Sequence, residues 1–196
     1  MTATVRKLEK AGRFADARAV ARILQPEEPV FLFSAPQLLA RLKTFQKGFP
    51  GTTSFAVKSN PSPDVIACLA KAGLKHWDVA SVHEMEAVRA QTPKPVFHYH
   101  NPVKSRREIA DAYGRYGCRR FAVDCREELA KIADIAGSDA SVEIAVRFVL
   151  PRDRGSSAHD FSTKFGAPEH VAVALLVEAA RRESLLAHRT QVDPEG

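Results

Sequence analysis

The feature that most constrains this chain is a run of short apolar segments, each followed by residues that can cap a helix. Ser54–Lys58 leads into Ser62-Pro63-Asp64. Leu74–Ala80 leads into Ser81-x-x-Glu84, Pro95–His100 into Ser105-x-x-Glu108, and Arg120–Val123 into Asp124-x-x-Glu127. Val142–Leu150 is followed by a polar loop and a helix expected from about Pro168. A Ser or Asp side chain at such a place accepts from a free N–H of the first helical turn, and a Glu three residues on reaches back to the cap's own N–H. Proline loses nothing in a first turn. After Pro63, the residues Val65, Ile66, Leu69 and Ala70 keep helical spacing until Gly73 closes the helix.

The apolar segments end at Lys58, Ala80, His100, Val123 and Leu150, with gaps of 22, 20, 23 and 27 residues. That spacing fits a strand, a turn, a helix of about three turns and a second turn. Short β-rich runs of this kind read as buried parallel strands. Their alternation with helices implies βαβ units. Two architectures remain, an open doubly wound sheet and a (β/α)8 barrel. No Gly-x-Gly-x-x-Gly follows the first strand, which disfavours the dinucleotide-binding version of the open sheet. Upstream, Pro29–Phe33 and the leucines Leu38, Leu39 and Leu42 predict one more strand and helix, and Thr2–Leu24 predicts a leading helix.

Composition narrows the function classes. With 196 residues, 45% apolar and 27% charged, the chain can bury a core without staples. No apolar run approaches the ~20 residues of a membrane span. The net charge of +6, from 29 basic and 23 acidic residues, favours anionic partners. Its basic pairs, such as Arg106-Arg107 and Arg181-Arg182, have acids nearby, which argues against a nucleic-acid groove. Three cysteines without a Cys-x-x-Cys pair suggest reduced thiols and a cytoplasmic setting. Arg6-Lys7 is not followed by the apolar stretch of a signal peptide.

In α/β folds, sites collect at the carboxyl ends of the strands. The residues there are Lys58, Asp78, His98 with His100, Asp124 and Arg147. Strand alternation places Ala56 and Lys58 on one face, so Lys58 either points into a site as an amine that can react with an aldehyde or snorkels outward. Asp78 reads as a site carboxylate or a turn residue. Arg147 in a buried strand needs an anion, either a ligand or a structural partner. His98 and His100 share a face by period two, but no third ligand accompanies them, and no metal is expected. Lys164, in Ser162-Thr163-Lys164-Phe165-Gly166, reads from composition as a solvated charge.

These stretches together resemble a known family. Phe55-Ala-Val-Lys-Ser-Asn-Pro61 is similar to the Tyr-Ala-Val-Lys-x-Asn signature of the pyridoxal-phosphate-dependent ornithine, lysine, arginine and diaminopimelate decarboxylases, enzymes of the alanine-racemase fold. Trp77-Asp-Val-Ala-Ser81 with Glu84, His100-Asn-Pro-Val-Lys-Ser105, Val123-Asp-Cys-Arg-Glu-Glu-Leu129, and Arg147 with Ser162–Gly166 follow in family order. The resemblance runs over roughly residues 28 to 182 and fits the ornithine/lysine branch best. It implies a partial (β/α)8 barrel with about five of eight strands at 28–182, a helical leader at 1–27 and a divergent tail at 183–196. It implies that Lys58 carries pyridoxal 5'-phosphate, that Asp78 and Glu84 surround that lysine and the cofactor, and that Arg147 lies near the ring. Lys164 would belong to a part of the site shared across a homodimer. The implied reaction is decarboxylation of a basic amino acid, as in polyamine biosynthesis, with neither nucleic acid nor membrane as partner.

Family members run to nearly twice this length. A His-Val-Gly-Ser strand, a glycine-rich phosphate loop and the acid that pairs with the pyridine nitrogen are not recognisable here. The sequence therefore reads as an N-terminal fragment, inactive or weakly active alone. Two other readings stand beside it: a non-catalytic half-barrel that binds a full-length relative as a regulator, and a small cofactor-carrier barrel. The carrier reading is weakened because such a barrel lacks the Asn-Pro-x-Lys and Ser-x-Lys-Phe-Gly stretches.

Overall fold

The structure is a computed structural model. It describes residues 13–137, 139–149 and 165–181, and the backbone alone of 187–191. The chain divides into two compact units, Met1–Ala35 and Pro36–Gly196.

In the first unit, α1 spans Ala17–Leu24. Asp16 caps it, its carboxylate accepting from Ala19 N–H at 2.7 Å. The N-terminal part of the expected 2–24 helix lies outside the described residues. The strand expected at Pro29–Phe33 does not form. The segment is irregular, and Phe31 is 90% exposed. A strand needs a neighbour to pair its backbone, and among the described residues no strand pairs with this segment.

α2 spans Ala35–Gly48, all but its first residue in the second unit, and its Leu42 is buried. The strands are β1 (Ser54–Ala56), β2 (His76–Val79), β3 (Val96–Tyr99), β4 (Arg120–Val123), β5 (Glu143–Arg147) and β6 (Ala187–Gln191). Between them run α3 (Pro63–Lys71), α4 (Val82–Arg89), α5 (Arg106–Ala110, continued by a π turn), α6 (Arg126–Ala136) and α7 (Glu169–Arg181). All six strands are parallel, in the order β1-β2-β3-β4-β5-β6. A doubly wound sheet reverses its order at a switch point; this one never does, so the barrel reading holds. The sixth strand falls in the stretch read from sequence as a tail. It pairs along its whole length with β5, from Glu143↔Ala187 to Arg147↔Gln191. Its composition gives no apolar run, which is why it was illegible.

One face of the sheet carries Trp77, Val79, Phe97, Tyr99, Phe121, Val123, Ile144 and Val146, all buried. Helices cover it with Ile66 and Leu69 (α3), Met85 and Val88 (α4), Ile109 (α5), Leu129 and Ile132 (α6) and Leu175 (α7). Each such side chain contributes about 1.5–3 kcal/mol on burial. The other face is half-buried and polar. His76, Asp78, His98, Arg120, Glu143 and Arg147 lie along it at every second strand position.

The expected caps were partly right. Ser105 and Glu108 form the full reciprocal box, and Ser81 accepts from Glu84 N–H. The third does not form: α6 begins one residue later than expected, behind Cys125, and the Asp124 carboxylate accepts instead from Gly166 N–H at 3.1 Å.

Candidate functional site

The carboxyl ends of the strands bring the expected residues to one rim. Lys58 follows β1, Asp78 lies near the end of β2, His100 and Asp124 stand one residue beyond β3 and β4, and Arg147 ends β5.

Lys58 is not in a strand. β1 stops at Ala56, and Val57–Ser59 form one 3-10 turn that packs against β2. The strand alternation expected through Lys58 therefore breaks after Ala56. Val57 is driven fully into the core, and Lys58 is left exposed. The turn is pinned by its neighbours. Ser59 Oγ donates to Ala56 O at 2.7 Å, and Asn60 Oδ1 accepts from Ser62 N–H at 3.1 Å. The motif residues beside the lysine thus hold the loop that presents it. Among the described residues the ε-amine has no hydrogen bond or ion pair.

Asp78 Oδ1 lies 3.1 Å from His100 Nδ1, both side chains about a quarter exposed. His98 Nε2 lies 2.9 Å from His76 Nδ1. Burial, with His100, Arg120 and His76 nearby, pushes the His98 imidazole down to about 3, so it stays neutral as a hydrogen-bonded link between two strands. Arg120 clamps Glu143 through two bonds of 2.9 Å. This face is a ladder of paired polar groups, and no cluster of metal-binding side chains occurs among the described residues.

Glu84 serves the start of α4: its Oε2 accepts from Ala80 N–H at 2.8 Å. Asn101 Nδ2 donates to Ala80 O at 3.3 Å. The backbone just beyond β2 is thus tied at both its N–H and its carbonyl. Arg147 stands 5.3 Å from the Phe165 ring. Chain residues 165–167 return onto β5, with Ala167 N–H donating to Arg147 O and Val149 N–H to Ala167 O, each at 2.9 Å. Gly166 makes this return possible. Its φ is +106°, and a Cβ there would lie 3.1 Å from Val149 Cγ2 and 3.2 Å from Phe148 C. Lys164 lies outside the described residues.

Sequence reasoning missed Lys104. Its side chain is fully buried, and Nζ donates to the carbonyls of Asn101 (2.9 Å), Pro102 (3.1 Å) and Ala122 (2.6 Å) beside Glu128 (3.4 Å). Lys131 also pairs with Glu128. The Asn-Pro-x-Lys and Asp-x-x-x-Glu-Leu motifs are therefore two halves of one buried bolt. The signal was a lysine and a glutamate in flanking motifs, which sequence shows apart and the fold joins.

The donor set fits the aldehyde end of a pyridoxal group. It offers an accessible primary amine, a carboxylate–imidazole pair and a guanidinium beside an aromatic ring, all at the rim where parallel α/β sheets bind ligands.

Comparison with known proteins gives the same answer. Residues 36–187 match the family model "Pyridoxal-dependent decarboxylase, pyridoxal binding domain". A lysine/ornithine decarboxylase of Selenomonas ruminantium is 39% identical over 127 residues, which is 64% of this chain and 30% of that protein. The crystal structure of an SrLDC mutant in complex with PLP superposes with a TM-score of 0.74 at 28% identity, over 92% of this chain and 46% of that one. A lysine/ornithine decarboxylase from Vibrio vulnificus, complexed with cadaverine, gives 0.71 at 25% identity, over 90% and 46%. The chain thus spans less than half the length of each of these relatives. With the family model covering β1 to β5, the helices between and after them and every strand-end residue of the rim, the chain belongs to the pyridoxal-dependent decarboxylases, through their pyridoxal-binding domain.

Proposed function

We propose that this chain binds pyridoxal 5'-phosphate through Lys58 and forms the cofactor-holding part of a decarboxylase acting on a basic amino acid of the lysine/ornithine class. The observation that carries the reading is the exposed ε-amine of Lys58, with no hydrogen bond or ion pair among the described residues, on a pinned turn at the carboxyl rim of a parallel barrel-type sheet. The cofactor supplies the electron sink for loss of an α-carboxylate as carbon dioxide. The chain's own residues supply the rest. Lys58 would hold the cofactor at its aldehyde end, and its Nζ would accept or return a proton there. Asp78 supplies a negative charge for a cation at that nitrogen. Glu84 holds the backbone beyond β2, and Arg147 offers a cation beside the ring.

The relatives named above support the substrate class, since one is a lysine/ornithine decarboxylase and another was solved with cadaverine. A diamine product, a homodimer with Lys164 at the shared site and a cytoplasmic setting complete the proposal. Three free cysteines suit a reducing compartment.

The test is trapping. Pyridoxal phosphate is added to the 196-residue chain, the mixture is reduced with borohydride, and peptides are mapped. The expected label is on Lys58, and Lys58→Ala abolishes it. Label spread over surface lysines and unchanged in Lys58→Ala would overturn the reading. With cofactor added, the chain alone is expected to release carbon dioxide from lysine or ornithine far below ordinary enzyme rates; release at ordinary rates would contradict that expectation.

A further inference from the structure

Resting on that reading, we infer that His100 is a positioning residue of the Lys58 site: its ring holds the Asp78 carboxylate in place beside the turn that carries the lysine. The contact joins Nδ1 to Oδ1 at 3.1 Å. His100 reaches this place by strand geometry. Its backbone N–H donates to Val79 O at 3.2 Å, continuing the β2–β3 ladder, and it lies two residues past His98 on the same face.

The neighbouring polar side chains are committed elsewhere. His98 is bound to His76 and kept neutral. Arg120 is clamped on Glu143. Glu84 holds Ala80 N–H, and Asn101 holds Ala80 O and accepts from Val103 N–H. Among the described residues, His100 is the side chain that pairs with Asp78. A partly exposed carboxylate left to itself turns towards water and loses its bearing. A carboxylate held by an imidazole keeps its orientation, which a charge needs in order to act on a cation formed nearby. Asp78 pairs across β1–β2 with Ala56, the residue from which the Lys58 turn starts, and that turn packs on β2. The ring of His100 also touches that of His98, with centroids 5.5 Å apart, so ring packing and the polar contact with Asp78 must be separated by experiment.

Three variants separate them. His100→Phe keeps a ring against His98 but has no donor. His100→Ala has neither. His100→Asn places an amide N–H near the position of Nδ1. The readout is the pyridoxal phosphate concentration that gives half-maximal borohydride label on Lys58, together with the absorption maximum before reduction. His100→Ala and His100→Phe are expected to raise that concentration about three- to fivefold, the upper worth of one ion pair at a partly exposed site. His100→Asn is expected within about twofold of the parent. In an Asp78→Asn background the three are expected to be indistinguishable.

Parent-like labelling by His100→Phe, or an undiminished His100→Ala effect in Asp78→Asn, would overturn the inference. The pair itself is read without cofactor. Nitrogen-15 spectra of the histidine rings should show Asp78→Asn shifting the His100 Nδ1 resonance and leaving the His76–His98 resonances in place. An unmoved His100 resonance also overturns the inference. Absence of Lys58 label in the parent, with the His100 resonance shifted as expected, instead sinks the cofactor reading alone.

Discussion

Replacing Lys104 with methionine tests the bolt beneath the site. The methionine fills most of the lysine's volume but donates nothing. Three backbone carbonyls, of Asn101, Pro102 and Ala122, lose their shared donor, and Glu128 loses one of its two cations. Breaking one side of a buried ion pair costs about 3–5 kcal/mol. Lys131 stays on Glu128, which puts the expected loss near the lower end, at about 3 kcal/mol. That is a large part of the ~5–15 kcal/mol that holds a domain together. For a chain of this size it corresponds to a fall in melting temperature of roughly 6–12 °C. Urea titration followed by circular dichroism measures it, and Lys104→Met with Glu128→Gln should cost less than the two single changes added. Burial pulls the Lys104 amine down from 10.5 to about 8. Between these values the unfolded chain holds the proton that the folded chain has released, so this group's contribution to stability rises as pH climbs through that window. The stability gap between parent and methionine variant is expected to widen from pH 8 to pH 10. A loss under about 1 kcal/mol would refute the bolt, and a gap that narrows would refute the downward shift of the Lys104 amine.

Burial raises the Cys118 thiol to about 12, so native thiol labelling at pH 8 is expected to reach Cys68 and Cys125 and to spare Cys118 until the chain unfolds. The same group is protonated in the folded chain after it ionises in the unfolded one, so its contribution to stability falls as pH rises above about 9; comparison with Cys118→Ala checks that slope. Gly166→Ala is expected to cost about 1–2 kcal/mol in urea unfolding, because φ of +106° and the close Val149 and Phe148 atoms both resist a Cβ. The sheet has two edges among the described residues, at β1 and β6, each with unpaired backbone groups. Sedimentation of the isolated chain is therefore expected to show self-association, and a clean monomer with a cooperative melt and little binding of an apolar dye would contradict open edges.

The sequence made the barrel legible where local and global signals agreed. β2 to β5 and the helices after them follow from apolar runs and caps, since Ser81 and Ser105 bond where helix-capping chemistry requires. It misplaced Lys58 because strand alternation was carried through a residue that a 3-10 turn takes over; burying Val57 is what turns the chain there. It predicted a strand at Pro29–Phe33 from apolar content, which states only that a segment could pair and not that a neighbour exists. It passed over β6 because Ala187–Gln191 is polar and is recruited by the edge of β5. At the rim, the motifs named Lys58, Asp78 and Arg147. The partners that orient them, His100 on Asp78 and Asp124 on Gly166, depend on contacts across 22 and 42 residues, which no local pattern encodes.

The central claim is that Lys58 is the attachment point of a pyridoxal cofactor at the carboxyl rim. The most direct measurement is a crystal structure of the 196-residue chain reduced with borohydride in the presence of pyridoxal phosphate. The expected result is continuous density from Lys58 Nζ to the aldehyde carbon, with the ring lying over the ends of β1, β2 and β5 near Asp78 and Arg147. A bare Lys58, with the cofactor on lysines away from that rim, would contradict the account.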